Sequence, residues 1–444
     1  MDRDILLHYA KLAVPRYTSY PTAADFYPLD DATRIGWLAT VGHDKPVSFY
    51  LHIPYCRDIC HYCGCFTKAV RRQSTIDDYV ETLIQDIRLQ AGYLSGRPKV
   101  VHLHWGGGTP SILSADAFEK IMAVLHEHFD FDENHEHAIE LDPRTVNTSL
   151  ASILASIGVN RASLGVQDVN SQVQEEIGRL QPVSDVEGAV TCLREAGIER
   201  LNFDLIYGLP RQTLTSLDET CQVVGGLHPD RIACYGYAHL PARRANQRLI
   251  DSQLLPGAFE RFEQSLLVGS CFERQGYVGI GIDHYAKPDD SMAIAMNEGR
   301  LQRNFQGYTD DDCTTLIGFG VSSISEFRGG YAQTVSDIGQ YKRAIAMGKM
   351  GTVRGHHIEG QDRNRAAIIR DLMCYFTVDL CRYGHLKLFD LEREGLKQLI
   401  TDGIAQDQSG LITVTQEGRP FVRAVAALFD RYRSQPSAQF SVAV

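Results

Sequence analysis

Residues 50–68 read YLHIPYCRDICHYCGCFTK and crowd Cys56, Cys60, Cys63 and Cys65 into one short loop. Three of these thiols stand in a C-x3-C-x2-C spacing, too tight for each to lie on its own element, so one irregular loop must fold around a shared object. Clustered thiolates select zinc or iron-sulfur and disfavour hard, oxygen-seeking ions. A structural zinc site usually joins two separated Cys or His pairs, and no second knuckle follows. Disulfides suit small secreted domains, whereas this chain has 444 residues and an odd total of 11 cysteines. An iron-sulfur cube fits the loop best: it takes four ligands, and a three-thiol loop leaves one iron open to a small molecule. An open iron points to chemistry rather than electron storage.

Outward from this loop, short β-rich runs alternate with longer amphipathic stretches. The runs are Val47-Ile53, Val100-Trp105, Ala138-Leu141, Ala162-Val166, Leu201-Tyr207 and Arg231-Tyr237. Helical patterns lie near Ile76-Leu94, Ala115-Phe129, Leu150-Ile157, Asp185-Ala196, Leu214-Val224 and Phe259-Arg274. Such alternation predicts an α/β fold with parallel strands and right-handed crossovers, in a barrel or an open doubly wound sheet. Barrel enzymes gather their chemistry at the C-terminal strand ends, and the unusual residues fall there. The cysteine loop follows the first run, Gly106-Gly107-Gly108-Thr109-Pro110 the second, Glu140 and Asp142 end the third, and Gln167 follows the fourth. Asp204 and Tyr207 close the fifth run, and Ala238-His239 follow the sixth. The glycine run removes side chains where a ligand must approach a strand end, although a glycine cluster there is often only a turn. Asp204, within the apolar run NFDLIYG, is expensive to bury without a partner; a salt bridge inside the barrel is the competing explanation.

The motifs together make the chain similar to the radical S-adenosylmethionine (SAM) superfamily. Cys63-Gly64-Cys65, RYTSYPT at 16–22, NFDLIYGLP at 202–210 and RNFQGY at 303–308 resemble the oxygen-independent coproporphyrinogen III oxidase family, from about Pro15 to the C-terminus. The resemblance implies a partial (β/α)6 barrel, open on one side to a bulky substrate. It implies a 4Fe-4S cluster on Cys56, Cys60 and Cys63, with Cys65 not a ligand, and two SAM molecules. Tyr50, Gly107 and Glu140 correspond to contacts of the cluster-bound SAM; Tyr62, Gly108, Thr109, Gln167, Arg179, Asp204, Ala238 and Ile324 correspond to contacts of the second. Catalytic roles carry over to Tyr50, Glu140, Phe305, Gln306 and Ile324. The implied reaction is decarboxylation of two propionates of coproporphyrinogen III to vinyl groups through a 5'-deoxyadenosyl radical, in porphyrin biosynthesis. An electron donor such as flavodoxin or ferredoxin is the implied protein partner.

Two rivals differ from this reading: a haem-binding chaperone of the same superfamily, and a radical SAM enzyme that alkylates or opens a tetrapyrrole. Chaperones of that kind generally lack the fourth cysteine and the RYTSYPT arm, both present here. A substrate with four propionates calls for guanidinium groups, whose planar fork donates two parallel hydrogen bonds to a carboxylate. Arg16, Arg243, Arg244 and Arg303 are the candidates, against the alternative of solvated surface. His52, His239 and His284 are expected to be structural.

Composition bounds the rest. A hydrophobic content of 44% and a charged content of 22% are ordinary for a soluble globular chain. A formal net charge of -11 repels nucleic acid. The acidic N-terminus, MDRDILLHYAKLAV, is unlike a signal peptide, and no apolar run approaches the roughly 20 residues of a membrane span. A cytoplasmic monomer is expected. The remaining cysteines, scattered singly, read as buried small hydrophobes.

Three regions are expected: residues 1–46 as an arm or lid, 47–330 as the catalytic barrel with an extension, and 331–444 as a mostly helical C-terminal cap. Within the cap, a helix at Leu396-Asp402, a hairpin at Ile404-Thr415 and a helix at Pro420-Tyr432 resemble a winged helix. No basic stripe marks a DNA-reading helix there.

Overall fold

A computed structural model describes residues 2–43 and 45–433. Six parallel strands follow the predicted order: β1 (Pro46–Ile53), β2 (Lys99–Gly107), β3 (Asp130–Leu141), β4 (Arg161–Gln167), β5 (Arg200–Tyr207) and β6 (Arg231–Gly236). Their crossovers carry α3 (Gln73–Ala91), α4 (Ala115–His128), α5 (Thr148–Ser156), α6 (Val183–Glu195) and α7 (Leu214–Gly226), preceded in the chain by α1 (Arg3–Ala10) and α2 (Asp31–Leu38). After β6 comes α8 (Ala258–Arg274). Each strand presents alternate apolar residues outward, and the buried set Phe49, Leu51, Leu103, Trp105, Ile139, Leu164, Phe203 and Ile232 packs under the helices in one continuous core. The opposite faces of these strands carry His104, Glu136, Glu140, Ser163, Asn202 and Asp204, so the lumen is polar.

The sheet is longer than the six predicted strands. At one edge a hairpin of β7 (Val278–Ile280) and β8 (His284–Ala286) pairs antiparallel with β6. At the other, β9 (Leu316–Phe319) pairs parallel with β1. An antiparallel run then follows through β10 (Ile324–Phe327), β11 (Gly330–Thr334) and β12 (Thr352–His357). The sheet therefore runs on past residue 330, where the strand-helix alternation ends. Its two edges do not join, so the parallel core is an open partial barrel.

Residues 2–20 do more than drape over the molecule. Asp2 caps α1 through its side chain, and Leu6, Tyr9, Ala10, Val14, Tyr17 and Tyr20 share a second core with Leu372, Leu396, Ile412, Phe421 and Phe429. The segment is thereby part of the C-terminal domain. That domain contains α9 (Asp362–Tyr375), α10 (Asp390–Thr401) and a three-stranded sheet of β13 (Thr377–Asp379), β14 (Ala405–Gln408) and β15 (Leu411–Val414). The last expected helix is broken into a 3-10 turn, the five-residue helix Val422–Ala426 and a second 3-10 turn. Residues 434–444 lie outside the described residues.

Candidate active site

The cysteine loop leaves β1 at Ile53 and is fastened by groups far away in sequence. Asn246 donates its single amide NH2 toward three loop carbonyls, those of Cys60, His61 and Cys63, at 3.0, 3.1 and 2.9 Å. Gln247 donates to the Tyr62 carbonyl at 2.8 Å, and His61 N–H donates to the Ile177 carbonyl at 2.8 Å. His52 anchors the far end, its Nε2 2.9 Å from the Phe66 carbonyl. That contact requires Nε2–H, so Nδ1 accepts from the Tyr50 hydroxyl at 3.0 Å. Burial holds the His52 imidazolium pKa below its ordinary value, in keeping with a neutral ring. His52 thus ties the far end of the loop back to β1 as a neutral ring.

The donors around the three thiols suit thiolates. Thr67 and Thr109 place hydroxyls 3.2 and 3.3 Å from the Cys56 sulfur. Arg179 donates to the Cys60 sulfur at 3.5 Å, and the Cys65 backbone N–H donates to the Cys63 sulfur at 3.4 Å. The Cys65 hydrogen bonds lower the Cys63 thiol to about 6, assisted by the nearby charges of Arg244 and Arg179. All three sulfurs belong to free cysteines that line one cavity of about 920 Å³. Hydrogen-bond donors and cations aimed at clustered sulfur are what an anionic iron-sulfur centre needs around it, and the residues present fit such a group.

The glycine run builds the adjoining cradle. A Cβ on Gly106 would sit 2.6 Å from the Glu140 carboxylate and 2.9 Å from the Tyr50 ring, and one on Gly108 would sit 2.6 Å from the Tyr55 carbonyl oxygen. Gly107 has φ +117 and donates its N–H to Glu140 Oε2 at 3.1 Å, while His104 Nε2 stands 3.1 Å from Oε1. Burial opposes ionisation of Glu140, but the His104 hydrogen bond and charge with the Gly107 N–H outweigh it and hold the carboxyl below its ordinary range. His104, stacked on Tyr50 with ring centres 5.9 Å apart, escaped the sequence reading. Its one signal was alternation: HLHW in β2 points His102 and His104 to the face opposite Leu103 and Trp105.

Tyr62, Gly107, Gly108, Thr109, Glu140, Gln167, Arg179, Asp204, Ala238 and Gln306 all meet at this cavity. Gln167 takes φ +67 at the end of β4, turning the chain where a ligand would approach. Asp204 has no cation beside it among the described ion pairs; it accepts from the Ser163 hydroxyl at 2.8 Å. Burial, with the nearby Glu140 charge, raises its pKa to about 6 against the pull of that hydrogen bond. A barrel salt bridge is thus not its explanation. Such bridges lie deeper, where Arg161 meets Glu136 at 2.8 Å and Arg231 meets Asp290 at 2.7 Å.

Several expected residues stand elsewhere. Tyr50 lies beneath the cavity surface against His52 and His104. Phe305 packs on Phe26 and Tyr331, and Ile324 lies in β10 opposite Gln333; neither lines the cavity. Of the four arginines, Arg16 and Arg244 reach the wall. Arg244 rests over the Phe66 ring at 5.1 Å, and Arg243 is exposed away from the wall. Arg303 instead donates to the carbonyls of Tyr17 and Arg16, both at 3.1 Å, tying down the N-terminal segment. His284 lines the cavity with Nδ1 2.7 Å from Asp283, and His239 lies between Tyr237 and Ser252.

A three-cysteine loop on the C-terminal rim of an incomplete parallel barrel is the arrangement of a radical SAM protein, and the Radical SAM superfamily model matches residues 50–224. Comparison with curated proteins narrows this. The oxygen-independent coproporphyrinogen III oxidase of Bradyrhizobium diazoefficiens is 42% identical over 438 residues, 97% of each chain. That of Pseudomonas aeruginosa is 37% identical over 448 residues, covering 97% of this chain and 96% of its own. The solved structure of coproporphyrinogen III oxidase from Escherichia coli superposes with a TM-score of 0.89 at 36% identity, over 94% of this chain and 97% of that one. The chain belongs to the oxygen-independent coproporphyrinogen III oxidase family.

Proposed function

We propose that Cys56, Cys60 and Cys63 hold a 4Fe-4S cluster, that Tyr50, Gly107 and Glu140 serve one SAM, and that a second SAM lies along Tyr62, Gly108, Thr109, Gln167, Arg179, Asp204 and Ala238. The chain converts coproporphyrinogen III to protoporphyrinogen IX without oxygen, by oxidative decarboxylation of two propionates to vinyl groups. The observation that carries this reading is the opening of three thiols and a glycine cradle into one cavity of about 920 Å³.

Cluster and SAM, when bound by these residues, would supply the radical chemistry that takes hydrogen from the substrate propionates. The protein's own part is placement. Glu140, ionised and fixed by His104 and Gly107, offers an acceptor for a cofactor ammonium. Arg179, held by Asp142 and the Gly165 carbonyl, presents a cation to a carboxylate on the cluster side. Tyr62 supplies a ring for stacking, and Arg16 and Arg244 give cations on the wall for substrate propionates. Gln306 faces the same space. Phe305 and Ile324 act in this reading through the packing of the wall behind it. The reductant is an electron carrier such as flavodoxin or ferredoxin, in the cytoplasm. Among the described residues no helix is long and apolar enough to cross a membrane.

The test is anaerobic incubation with reductant, SAM and coproporphyrinogen III, followed by product mass. Two successive losses of the elements of formic acid support the reading. Stoichiometric haem retention with no vinyl product overturns it in favour of a chaperone.

A further inference from the structure

The outer surface of the cysteine loop differs in charge from the molecule as a whole. The chain carries a formal net charge of -11, yet residues 54–72 and 238–250 hold seven Lys and Arg against a single carboxylate, Asp58. Six of those cations, Arg57, Lys68, Arg71, Arg72, Arg243 and Arg248, are exposed. Asp58 is engaged by Arg71 at 2.9 Å, and Arg57 donates to the Arg71 carbonyl at 3.2 Å. On the neighbouring flank, beside His61, stand Glu175 and Glu176, the second engaged by Arg211 at 2.6 Å.

The two basic stretches form one face. Asn246 and Gln247 hold the loop carbonyls from Cys60 to Cys63, and Arg244 rests over the Phe66 ring at 5.1 Å. Arg243 therefore stands beside Phe66, and Lys68 follows that ring by two residues. Phe66 is 43% exposed and Leu249 67%, so the face offers apolar contact within a rim of cations. Between them the loop is thin, since Gly64 and Cys65 reach the surface immediately after Cys63.

A local cationic field on an acidic molecule steers an anionic partner to that one face and away from the rest. Two exposed apolar side chains give a small contact, as suits a partner that must leave after each encounter. We propose that this face docks an acidic one-electron carrier protein. The carrier loses one electron and the centre on the cysteine loop gains it, with no bond made or broken. The inference rests on the reading that the loop holds an iron-sulfur cluster, and it adds the place where the reductant binds.

The test is calorimetric titration of oxidised flavodoxin into the reconstituted full chain, into Lys68→Glu/Arg243→Glu, and into Arg382→Glu/Lys387→Glu, which makes the same change of charge on exposed residues of the C-terminal domain. The first variant should bind roughly tenfold more weakly at about 50 mM salt, with most of the difference gone at about 500 mM. The second should bind as wild type. The milder Lys68→Gln/Arg243→Gln should shift affinity in the same direction by a smaller factor. Product formation with dithionite and affinity for coproporphyrin III, the oxidised form of the substrate, should be unchanged in Lys68→Glu/Arg243→Glu. Equal flavodoxin affinity in the two charge-reversal variants overturns the docking face alone. So does a loss of porphyrin affinity with flavodoxin binding intact, which would assign the cations to substrate entry. No product from any of the proteins with dithionite overturns the docking face together with the cluster reading.

Discussion

The Arg179 guanidinium stands 3.5 Å from the Cys60 sulfur while it also meets Asp142 at 3.3 Å. A cation so near a thiolate proposed to hold the cluster favours the state with one more negative charge. Arg179→Gln is therefore expected to move the reduction potential of the reconstituted cluster to more negative values, on the order of 100 mV. Redox titration followed by electron paramagnetic resonance reads this directly. An unchanged potential would confine Arg179 to holding the loop.

Gly107→Ala places a methyl group 2.7 Å from the His52 ring and 2.9 Å from the Ile53 carbonyl oxygen, at φ +117. Strain of this kind costs about 1–3 kcal/mol, and it also displaces the N–H that Glu140 accepts. A lowered thermal midpoint together with weaker SAM binding is expected. Wild-type values for both would remove the cradle from the account.

Asp204 supplies a pH dependence. Its folded pKa, about 6, lies above the unfolded value near 3.9, so the folded chain binds the extra proton between these values. Stability should fall as pH rises from about 4 to 6, by an amount on the order of 1 kcal/mol given the solvent that reaches the cavity. Asp204→Asn should flatten that part of the profile in denaturant unfolding. An identical slope in the variant would contradict the assignment.

Arg303 ties down the chain at Arg16 and Tyr17 through two carbonyl hydrogen bonds. Replacing it with alanine should cost about 2–3 kcal/mol and expose residues 2–20 to limited proteolysis well before global unfolding. Unaltered cleavage kinetics would show that the apolar contacts of Leu6, Tyr9 and Val14 hold the segment unaided.

The six barrel strands were legible because each is an apolar run bounded by turn residues, and strand order then placed the cysteine loop, Glu140, Gln167 and Asp204 on one rim. Other features left too faint a trace. The polar stretch DFDENHEH hides the first part of β3, and β9 is four residues long. The prolines at 15, 21 and 28 disguised a segment whose buried faces become apolar surfaces only against the C-terminal domain. Asn246 and Gln247 hold the cysteine loop from a part of the chain with no periodicity at all. Arg303 looked like a propionate ligand because residue type alone cannot distinguish a guanidinium aimed at substrate from one aimed at a backbone carbonyl.

The central claim is that three thiols carry iron and leave one position open for SAM. Anaerobically reconstituted wild-type protein should hold about four irons and four sulfides per chain, and its reduced electron paramagnetic resonance spectrum should change when SAM is added. Cys63→Ser should lose the cluster absorbance and 5'-deoxyadenosine formation together, whereas Cys65→Ser should keep a cluster. A zinc-loaded, iron-free loop, or a cluster spectrum indifferent to SAM, would contradict the account.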